Sequence, residues 1–384
     1  MSTRILRSFA VLLGSAGICA AATVGGGGTE APAPGELGGP TTALSPTEMG
    51  TWLAGEAQFD RAFHIADGVG TPEFNAESCR ACHRDPVLGG AGGLELNVSR
   101  FGFDNGGLGP FQDLPGGQGL SKLRPPMIND RENYPVQADV FEQRQTPSLF
   151  GLGLLESISE ANILANEDPG DSNGDGIFGV ARVLMIDGLP EVGRFGWKSQ
   201  VPTLEDFVRD AMAGEAGITT PSVGRGFALS VDADSVADPE FSEAEVDEMA
   251  FYLENLGPPL RVGSVAPEVV QGEILFTALL CSTCHIPNIN GAVDPVFAYT
   301  DLLLHDVMPT DYRGMEEPGA GNGMFRTPPL WGIRHSAPYM HDGRARGLRE
   351  AILAHESEGQ ASSDAFVLLS ESEQSALIAF LRDL

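Results

Sequence analysis

Cysteine is scarce in this 384-residue chain, which contains only five. Positive charge is scarce as well, because 23 Lys and Arg residues face 53 Asp and Glu residues and leave a net charge of −30. That balance argues against nucleic acid as a partner and favours a basic protein or a cationic redox partner, although a well-solvated acidic surface has the same composition. Long apolar runs are missing beyond the N-terminus, so no membrane span is predicted.

The first 22 residues predict a secretory signal peptide. Two arginines precede an apolar stretch that ends at Cys19, and small residues follow it. The stretch is too short for a membrane span, and Ile18 directly before Cys19 argues against a lipid anchor. Residues 23–45 are rich in Gly and Pro and predict a flexible linker. We therefore expect an exported, periplasmic protein.

Four of the five cysteines lie in two similar pentapeptides, CRACH at residues 79–83 and CSTCH at 281–285. A disulfide within each pair, a zinc site and thioredoxin-like redox chemistry are the alternatives. Zinc favours a second Cys-x-x-Cys within about 15–20 residues, and thioredoxin-like chemistry favours a strand–helix–strand context; the sequence offers neither. Cys-x-x-Cys-His is instead the attachment sequence of c-type haem, in which two thioethers hold the porphyrin and the imidazole binds iron.

The two motifs therefore predict two covalently bound haem c groups. The predicted attachment residues are Cys79, Cys82, Cys281 and Cys284, and the predicted proximal iron ligands are His83 and His285.

Other segments of the chain also occur twice. FSEAEVDEMAFYLENL (241–256) and LSESEQSALIAFLRDL (369–384) each open with a Ser-x-x-Glu capping box and continue with apolar residues at helical spacing. TPSLFGL (146–152) and TPPLWGI (327–333) form a second pair, each preceded by an arginine. Because the order of these segments is the same around both haem motifs, the chain reads as a duplicated unit.

The repeats predict a mainly α protein made of two cytochrome c-like haem domains in tandem. The first domain is expected at residues 46–262, with a loop-rich insertion at about 153–195, and the second at 263–384. Two domains are also the default expectation for a chain of this length.

The two halves differ at the end of one predicted helix. Alignment of LEDFVRDA (204–211) with LREAILAH (348–355) places Ala211 opposite His355. If this helix covers the distal face of each haem, the second haem gains His355 as a sixth ligand and the first stays open to a small molecule. Glu215, four residues beyond Ala211 on the same predicted helix face, is then a candidate for proton transfer at the first haem.

Other side chains compete for the axial positions. His64 precedes the first motif and is the main rival ligand for the first haem. For the second haem, the rival ligands are Met308, Met324 and Met340. His305 and His341 are expected to form hydrogen bonds to haem propionates or backbone rather than to bind iron.

The predicted insertion contains the segment DPGDSNGDGIFG. Asp171, Asn173 and Asp175 place oxygen ligands at alternate positions, as in a calcium loop. Arg182 occupies the position where an EF-hand has its bidentate Glu, so this is not an EF-hand. The segment is therefore either a shortened calcium loop or a metal-free turn rich in Asx residues.

Several long segments resemble the family of di-haem c-type oxidoreductases, whose members are described as peroxidases or as thiol oxidoreductase-like proteins. They are FNAESCRACH, RQTPSLFGLGLLESI, GRFGWKSQVPTL, AYTDLLLHDVMP and RTPPLWGIRHSAPYMHDGRARGLREAILAH. The likeness runs from about Gly55 to the C-terminus and extends more distantly to bacterial di-haem cytochrome c peroxidases.

The resemblance implies a role for three residues. His355 becomes the axial ligand of the electron-transfer haem, Trp197 lies between the two haems, and Glu215 acts as acid–base. Related di-haem peroxidases hold a calcium ion between their domains, so the resemblance also supports calcium binding in this chain. One feature of those peroxidases does not carry over, because no His between His83 and Asp175 is available to block the first haem iron.

These observations together lead us to expect an exported di-haem oxidoreductase of the peroxidase type. A small, basic redox protein or other donor supplies electrons at the second haem, and the open first haem reduces hydrogen peroxide or a similar oxidant. Two alternatives stay open: an electron carrier whose first haem is six-coordinate through His64 or a Met, and an open-haem oxidase of a protein or organic substrate.

Overall fold

The computed structural model describes residues 32–114, 119–123 and 133–384, which lie in one compact unit. The predicted signal peptide and the first part of the predicted linker lie outside these residues. Within the described part of the chain, no helix combines the length and the apolar character needed to cross a bilayer.

Helices dominate the regular structure and are joined by long irregular segments. The α-helices of the described residues are α1 (Pro46–Asp60), α2 (Leu152–Glu156), α3 (Glu160–Leu164), α4 (Leu204–Ala211), α5 (Glu243–Asn255), α6 (Pro267–Ala278), α7 (Leu348–Leu353), α8 (Gln360–Leu368) and α9 (Glu371–Asp383). The expectation of a mainly α protein is confirmed.

The strands are short, and every pair is antiparallel. They are β1 (Val98–Gly102), β2 (Gly119–Leu120), β3 (Val140–Arg144), β4 (Val183–Ile186), β5 (Leu189–Val192), β6 (Ile289–Asn290), β7 (Pro295–Val296), β8 (Leu304–Asp306) and β9 (Met324–Arg326). The first three form a sheet in the order β2-β1-β3, and the others pair as β4-β5, β6-β7 and β8-β9.

Two helix pairs cross at glycines that occupy corresponding positions. A Cβ atom on Gly55 of α1 would lie 1.9 Å from the carbonyl oxygen of Glu248 on α5. A Cβ atom on Gly272 of α6 would lie 2.1 Å from the carbonyl oxygen of Ala376 on α9. Because no side chain fits in either gap, glycine allows each helix preceding a Cys-x-x-Cys-His motif to pack directly on a closing helix.

The closing helices α5 and α9 start with the capping boxes that the sequence predicts. Ser242 accepts a hydrogen bond from the backbone N–H of Glu245, whose side chain accepts one from the N–H of Ser242. Ser370 and Glu373 form the same reciprocal pair at the start of α9. Each box satisfies N–H groups that the first helical turn would otherwise leave unpaired.

The repeated Thr-Pro segments are fastened to the ends of these helices in the same way. Gly151 adopts a left-handed conformation with φ +77° and donates its N–H to the carbonyl of Leu256 at 2.9 Å. Gly332, with φ +62°, donates its N–H to the carbonyl of Leu384, also at 2.9 Å. The sequence repeat therefore corresponds to a repeat in the structure.

A buried carboxylate connects segments from distant parts of the chain. Glu317 accepts hydrogen bonds from Arg144 at 2.9 Å and from Arg182 at 2.7 Å, and Arg100 lies 3.4 Å away. The side chains of Glu317, Arg144 and Arg182 are almost completely buried. Since a buried ion is costly without its partners, this cluster holds β1, β3 and the segment before β4 against the loop that contains Glu317.

Candidate active site

The two Cys-x-x-Cys-His motifs have the same local structure. Each begins with a short 3₁₀ turn, over Cys79–Ala81 in one case and Cys281–Thr283 in the other. In both, the N–H of the histidine bonds to the carbonyl of the first cysteine, at 2.9 Å for His83 and 3.0 Å for His285. All four thiols are free and partly buried. The tight turn brings two thiols and one imidazole together, as haem attachment requires.

Both motif histidines are oriented by a backbone carbonyl. The Nδ1 atom of His83 lies 3.0 Å from the carbonyl oxygen of Pro147, and that of His285 lies 2.9 Å from the carbonyl oxygen of Tyr299. A carbonyl only accepts, so Nδ1 carries the hydrogen and Nε2 keeps its lone pair. Burial lowers the pKa of each ring to about 4. Both imidazoles are therefore neutral, which is the form that binds iron.

His355 resembles the two motif histidines in its hydrogen bonding and burial. Its Nδ1 atom lies 2.7 Å from the carbonyl oxygen of Ala351, and burial lowers its pKa. Among the described residues, none forms a hydrogen bond with Nε2 of His355, His285 or His83. His355 and His285 line one cavity of about 270 Å³ together with Cys281 and Cys284. The cavity thus offers two neutral imidazoles and two thiols to one occupant.

The rest of this cavity also suits a haem. Its wall is largely apolar and includes Phe276, Leu280, Trp331, Leu348, Ile352 and Leu377. Arg326, also in the wall, is 8% exposed and donates to the backbone carbonyls of Gly196 and Thr327. No carboxylate of the described residues forms an ion pair with it. An apolar cavity with a buried cation fits a porphyrin that carries propionates.

The helix predicted over the first motif changes its hydrogen bonding at Ala211. Helix α4 ends at this residue and continues as a π-helical turn over Met212–Ala216, which Gly217 terminates in the left-handed region. Ala211 and Glu215 are therefore not one α-helical turn apart, as the sequence suggested, because a π-helix repeats after a longer interval than an α-helix. Single π-helical turns occur frequently at functional sites.

Glu215 lies on this turn next to the first motif. Asn75 donates its side-chain N–H to Oε2 of Glu215 at 2.9 Å, and its backbone N–H to the Glu215 carbonyl at 2.7 Å. Burial raises the pKa of Glu215 to about 7, although Asn75 and Arg100 lower it. The charge of Glu215 in turn contributes to the raised pKa of the Cys79 and Cys82 thiols. The structure thus brings Glu215 to the first thiol pair.

Trp197 connects the surroundings of the two motifs. It lines the cavity of His285 and His355, and its indole N–H donates to the carbonyl of Gln145 at 2.8 Å. Only one residue separates Gln145 from Pro147, whose carbonyl binds His83. The neighbouring Lys198 is fully buried, with its ammonium bound by the carbonyls of Gly321, Asn322 and Met324. This anchoring fixes the segment that carries the indole.

Comparison with known proteins identifies the group to which these features belong. A sequence profile of the family described as "Di-haem oxidoreductase, putative peroxidase" matches residues 132–384, more than half of the chain. The chain belongs to this di-haem oxidoreductase family. Membership implies two haem groups, in agreement with the two Cys-x-x-Cys-His motifs.

Individual relatives match less of the chain or less closely. The methylamine utilization protein MauG of Methylorubrum extorquens is 32% identical over 135 residues, which are 32% of this chain and 35% of MauG. The chain thus spans about a third of the length of this relative.

Solved structures are similar over nearly the whole chain at low identity. A hydrazine synthase structure from Kuenenia stuttgartiensis has a TM-score of 0.44 at 17% identity and covers 94% of this chain and 98% of its own. A MauG-like protein associated with microbial copper homeostasis has 0.44 at 14%, with 93% of each chain covered. The diheme peroxidase BthA from Burkholderia thailandensis has 0.45 at 16%, covering 90% of this chain and 88% of its own.

The rival ligands of this di-haem oxidoreductase have different surroundings. His64 is exposed, and its Nδ1 accepts the N–H of Ala66 at the start of a short turn. Both ring nitrogens of His305 lie 2.8 Å from carboxylates, so it has no lone pair to offer iron. His341 lines the cavity and bonds Tyr312 through Nε2. Two of the candidate methionines, Met308 and Met340, also line it.

The candidate calcium loop of this family member is an exposed series of turns. Asp171 accepts the N–H of Gly176, and Asn173 accepts the N–H of Asp175. The side chain of Asn173 also donates to Asp175 at 3.1 Å. These are the contacts of an Asx-rich turn, and calcium binding here stays a prediction.

Sequence reasoning misses several residues that shape the site. Asn75 binds Glu215 from 140 positions away, and Glu358 binds His305 from 53 positions away. Neither pairing leaves a local pattern in the sequence. Arg326 stands out in the sequence only as the residue before a repeated Thr-Pro segment. An arginine directly before a segment that lines the cavity is nevertheless a signal from which an anion partner can be inferred.

Proposed function

We propose that this chain is an exported di-haem cytochrome c oxidoreductase of the peroxidase type, built from two cytochrome c-like halves. One observation carries the proposal: His285 and His355 line one cavity, and no described residue forms a hydrogen bond with either Nε2 atom. Among the described residues, His83 has no second histidine at an equivalent place. The halves would therefore differ in iron ligation, as electron transfer at one haem and ligand binding at the other require.

The thiols of Cys79 and Cys82 would hold the first haem, and those of Cys281 and Cys284 the second. His83 and His285 would be the proximal ligands and His355 the sixth ligand of the second haem. When bound, haem supplies one-electron redox chemistry and, at an open iron, activation of a small oxidant such as hydrogen peroxide.

The residues between the motifs support electron transfer from the second half to the first. Trp197 borders the cavity of the second motif, and its indole bonds the Gln145 carbonyl. From Gln145 a short stretch of backbone leads to the Pro147 carbonyl, which binds Nδ1 of His83. Pro147 itself also lines this cavity, so these contacts join the two sites, and we assign Trp197 to that route.

Glu215 is the residue that we assign to proton handling. Burial raises the pKa of its carboxyl to about 7, so both the protonated and the ionised form are accessible near neutral pH. Because Oε2 accepts from Asn75, the proton belongs on Oε1. Reduction of peroxide to water consumes protons, and a buried carboxyl with this pKa can deliver and regain them.

The net charge of the chain indicates what kind of electron donor it would bind. A net charge of −30 favours a basic redox protein as the electron donor. If the predicted signal peptide is used, the reaction takes place outside the cytoplasm, as we propose. Asp171, Asn173 and Asp175 remain the candidate calcium ligands of the first half, where an ion would stabilise the loop that leads to Phe178.

The test is a single-turnover reaction without oxygen. The fully reduced protein, mixed with one equivalent of hydrogen peroxide, should return both haems to the ferric state, because peroxide takes two electrons and two protons to give two waters. A Cys281→Ala/Cys284→Ala variant should carry one covalent haem on a denaturing gel and by intact mass. If the reduced protein does not react with peroxide but exchanges electrons with a small cytochrome, the protein is an electron carrier instead.

A further inference from the structure

A buried histidine near the second motif lies between two carboxylates. His305, 3% exposed, has its Nε2 atom 2.8 Å from Oδ2 of Asp301 and its Nδ1 atom 2.8 Å from Oε2 of Glu358. Carboxylates accept, so both ring nitrogens donate and the ring is an imidazolium. Its Nδ1 atom is also 3.6 Å from the Cys284 thiol. The group therefore lies against the haem attachment site.

Glu358 extends this contact to two further segments. Its Oε1 atom accepts the N–H of Asp306 at 2.9 Å, and Oε2 accepts the N–H of Phe178, also at 2.9 Å. One carboxylate thus ties β8 and the insertion to the loop after α7. The backbone adds a parallel bond, from the N–H of Glu356 to the carbonyl of Val307 at 3.2 Å.

The loop held in this way begins at His355. Helix α7 supports the ring from one side through the bond to Ala351. On the other side, Ser357 adopts φ +49°, and a Cβ atom on Gly359 would lie 2.8 Å from Cβ of His355. The chain therefore folds back tightly onto His355, and Glu358 fastens the returning part of this turn.

We propose that Asp301, His305 and Glu358 form a clamp that positions His355 as the sixth ligand of the second haem. The inference rests on the proposed function, in which His355 binds iron. A histidine on a loop binds iron firmly only if its backbone is kept in place, and the clamp supplies this restraint from strand β8, which also contacts the second thiol of the motif.

The chemistry of the clamp makes it rigid. The imidazolium is paired on both sides, and both carboxylates have further donors, so each buried charge is compensated. Removal of Glu358 leaves the Nδ1–H of His305 and the backbone N–H groups of Asp306 and Phe178 without this acceptor, and the loop would move to let in water. His305 and Glu358 line the cavity of the second motif. In this proposal the three residues act through His355 and bind no iron themselves, so they are positioning residues.

Carbon monoxide binding to the reduced holoprotein tests the clamp. Carbon monoxide binds a haem iron with a free position, so wild type should bind one molecule, at the first haem. Glu358→Ala should bind more than one, because a loosened His355 leaves iron, and the ferric second haem should gain high-spin character and a higher potential. Glu358→Gln, which keeps the volume but cannot accept from His305 through its amide nitrogen, should shift the same readouts less.

Two reference variants distinguish a failure of the clamp proposal from a failure of the proposed iron ligation. Glu356→Gln removes the same charge two residues away, and no described residue hydrogen-bonds to its side chain, so it should match wild type. His355→Ala should bind two carbon monoxide molecules; if it binds one, His355 is not a ligand and the proposed ligation fails. If His355→Ala binds two while Glu358→Ala and Glu358→Gln both bind one, the clamp is wrong and the proposed function stands. Should Glu358→Ala fail to fold, Glu358→Gln decides.

Discussion

At the scale of single residues, Glu215 carries the most specific chemical assignment. Glu215→Gln removes the titratable proton while keeping the Asn75 contact through the amide oxygen. Peroxidase turnover should fall roughly 100-fold, since general acid–base catalysis typically contributes at least that much, and both haem spectra should be unchanged. Steady-state peroxide reduction and absorption spectra measure the two effects.

A matched control for this variant is Glu77→Gln, which removes an exposed carboxylate close to the first thiol pair. It should keep wild-type turnover. Equal turnover in the Glu215→Gln protein and in this control would make Glu215 a structural carboxylate.

The sequence and the structure contribute differently at this scale. Glu215 could be predicted from an alignment of the two halves, and the cysteines and motif histidines from spacing alone. The raised pKa of Glu215 could not be predicted, because it depends on burial and on Asn75 and Arg100, which come from distant segments of the chain. The same holds for His355, whose position in the sequence indicated a ligand but whose orientation depends on the Ala351 carbonyl.

At the scale of helices, the crossings at Gly55 and Gly272 should tolerate no side chain. Gly55→Ala and Gly272→Ala should each lower the free energy of unfolding by about 1–3 kcal/mol, because the added methyl group overlaps a backbone carbonyl. Gly50→Ala is the control in α1, because a Cβ atom there would meet no other atom within 4 Å. It should raise stability by up to about 1 kcal/mol through helix propensity. Denaturant unfolding measures the stability of the three variants. Equal changes in the free energy of unfolding would contradict the close helix crossings.

A second prediction at this scale concerns the aligned helices α4 and α7. Ala211→His should supply an imidazole where the second half has His355, turn the first haem low-spin and abolish its carbon monoxide binding. Ferric spectra and carbon monoxide titration report this directly. A first haem that stays high-spin would mean that α4 and α7 do not superpose over their haems.

The helices that open with a capping box could be predicted closely, because Ser-x-x-Glu and apolar spacing are local signals. Neither the π-helical turn at Met212–Ala216 nor the strands could be predicted from the sequence. Strands of two to five residues such as β6 and β3 exist only through their partners, and β3 pairs with β1 across about 40 intervening residues. No window of sequence contains that information.

At the scale of the whole molecule, Glu317 should contribute strongly to cohesion. Burial raises its pKa, but Arg144, Arg100 and Arg182 lower it further, to about 2. Glu317→Gln should therefore reduce the free energy of unfolding by roughly 3 kcal/mol or more at neutral pH, since it leaves buried guanidinium groups without their anion.

The pH dependence of this effect has a definite sign. The pKa of folded Glu317 lies below its ordinary value of 4.5, so its stabilisation is complete above about pH 4.5 and is lost as the pH falls towards 2. The difference between wild type and Glu317→Gln should shrink over that range in acid unfolding experiments. A difference that stays constant with pH would contradict the ion-pair account.

The two haems of the molecule should differ in spin state, and electron paramagnetic resonance of the ferric protein at low temperature measures this difference. We expect one high-spin signal from the first haem and one low-spin signal from the second, and we expect the low-spin signal to become high-spin in His355→Ala. Two low-spin signals in the wild-type protein would contradict this expectation and identify an electron carrier.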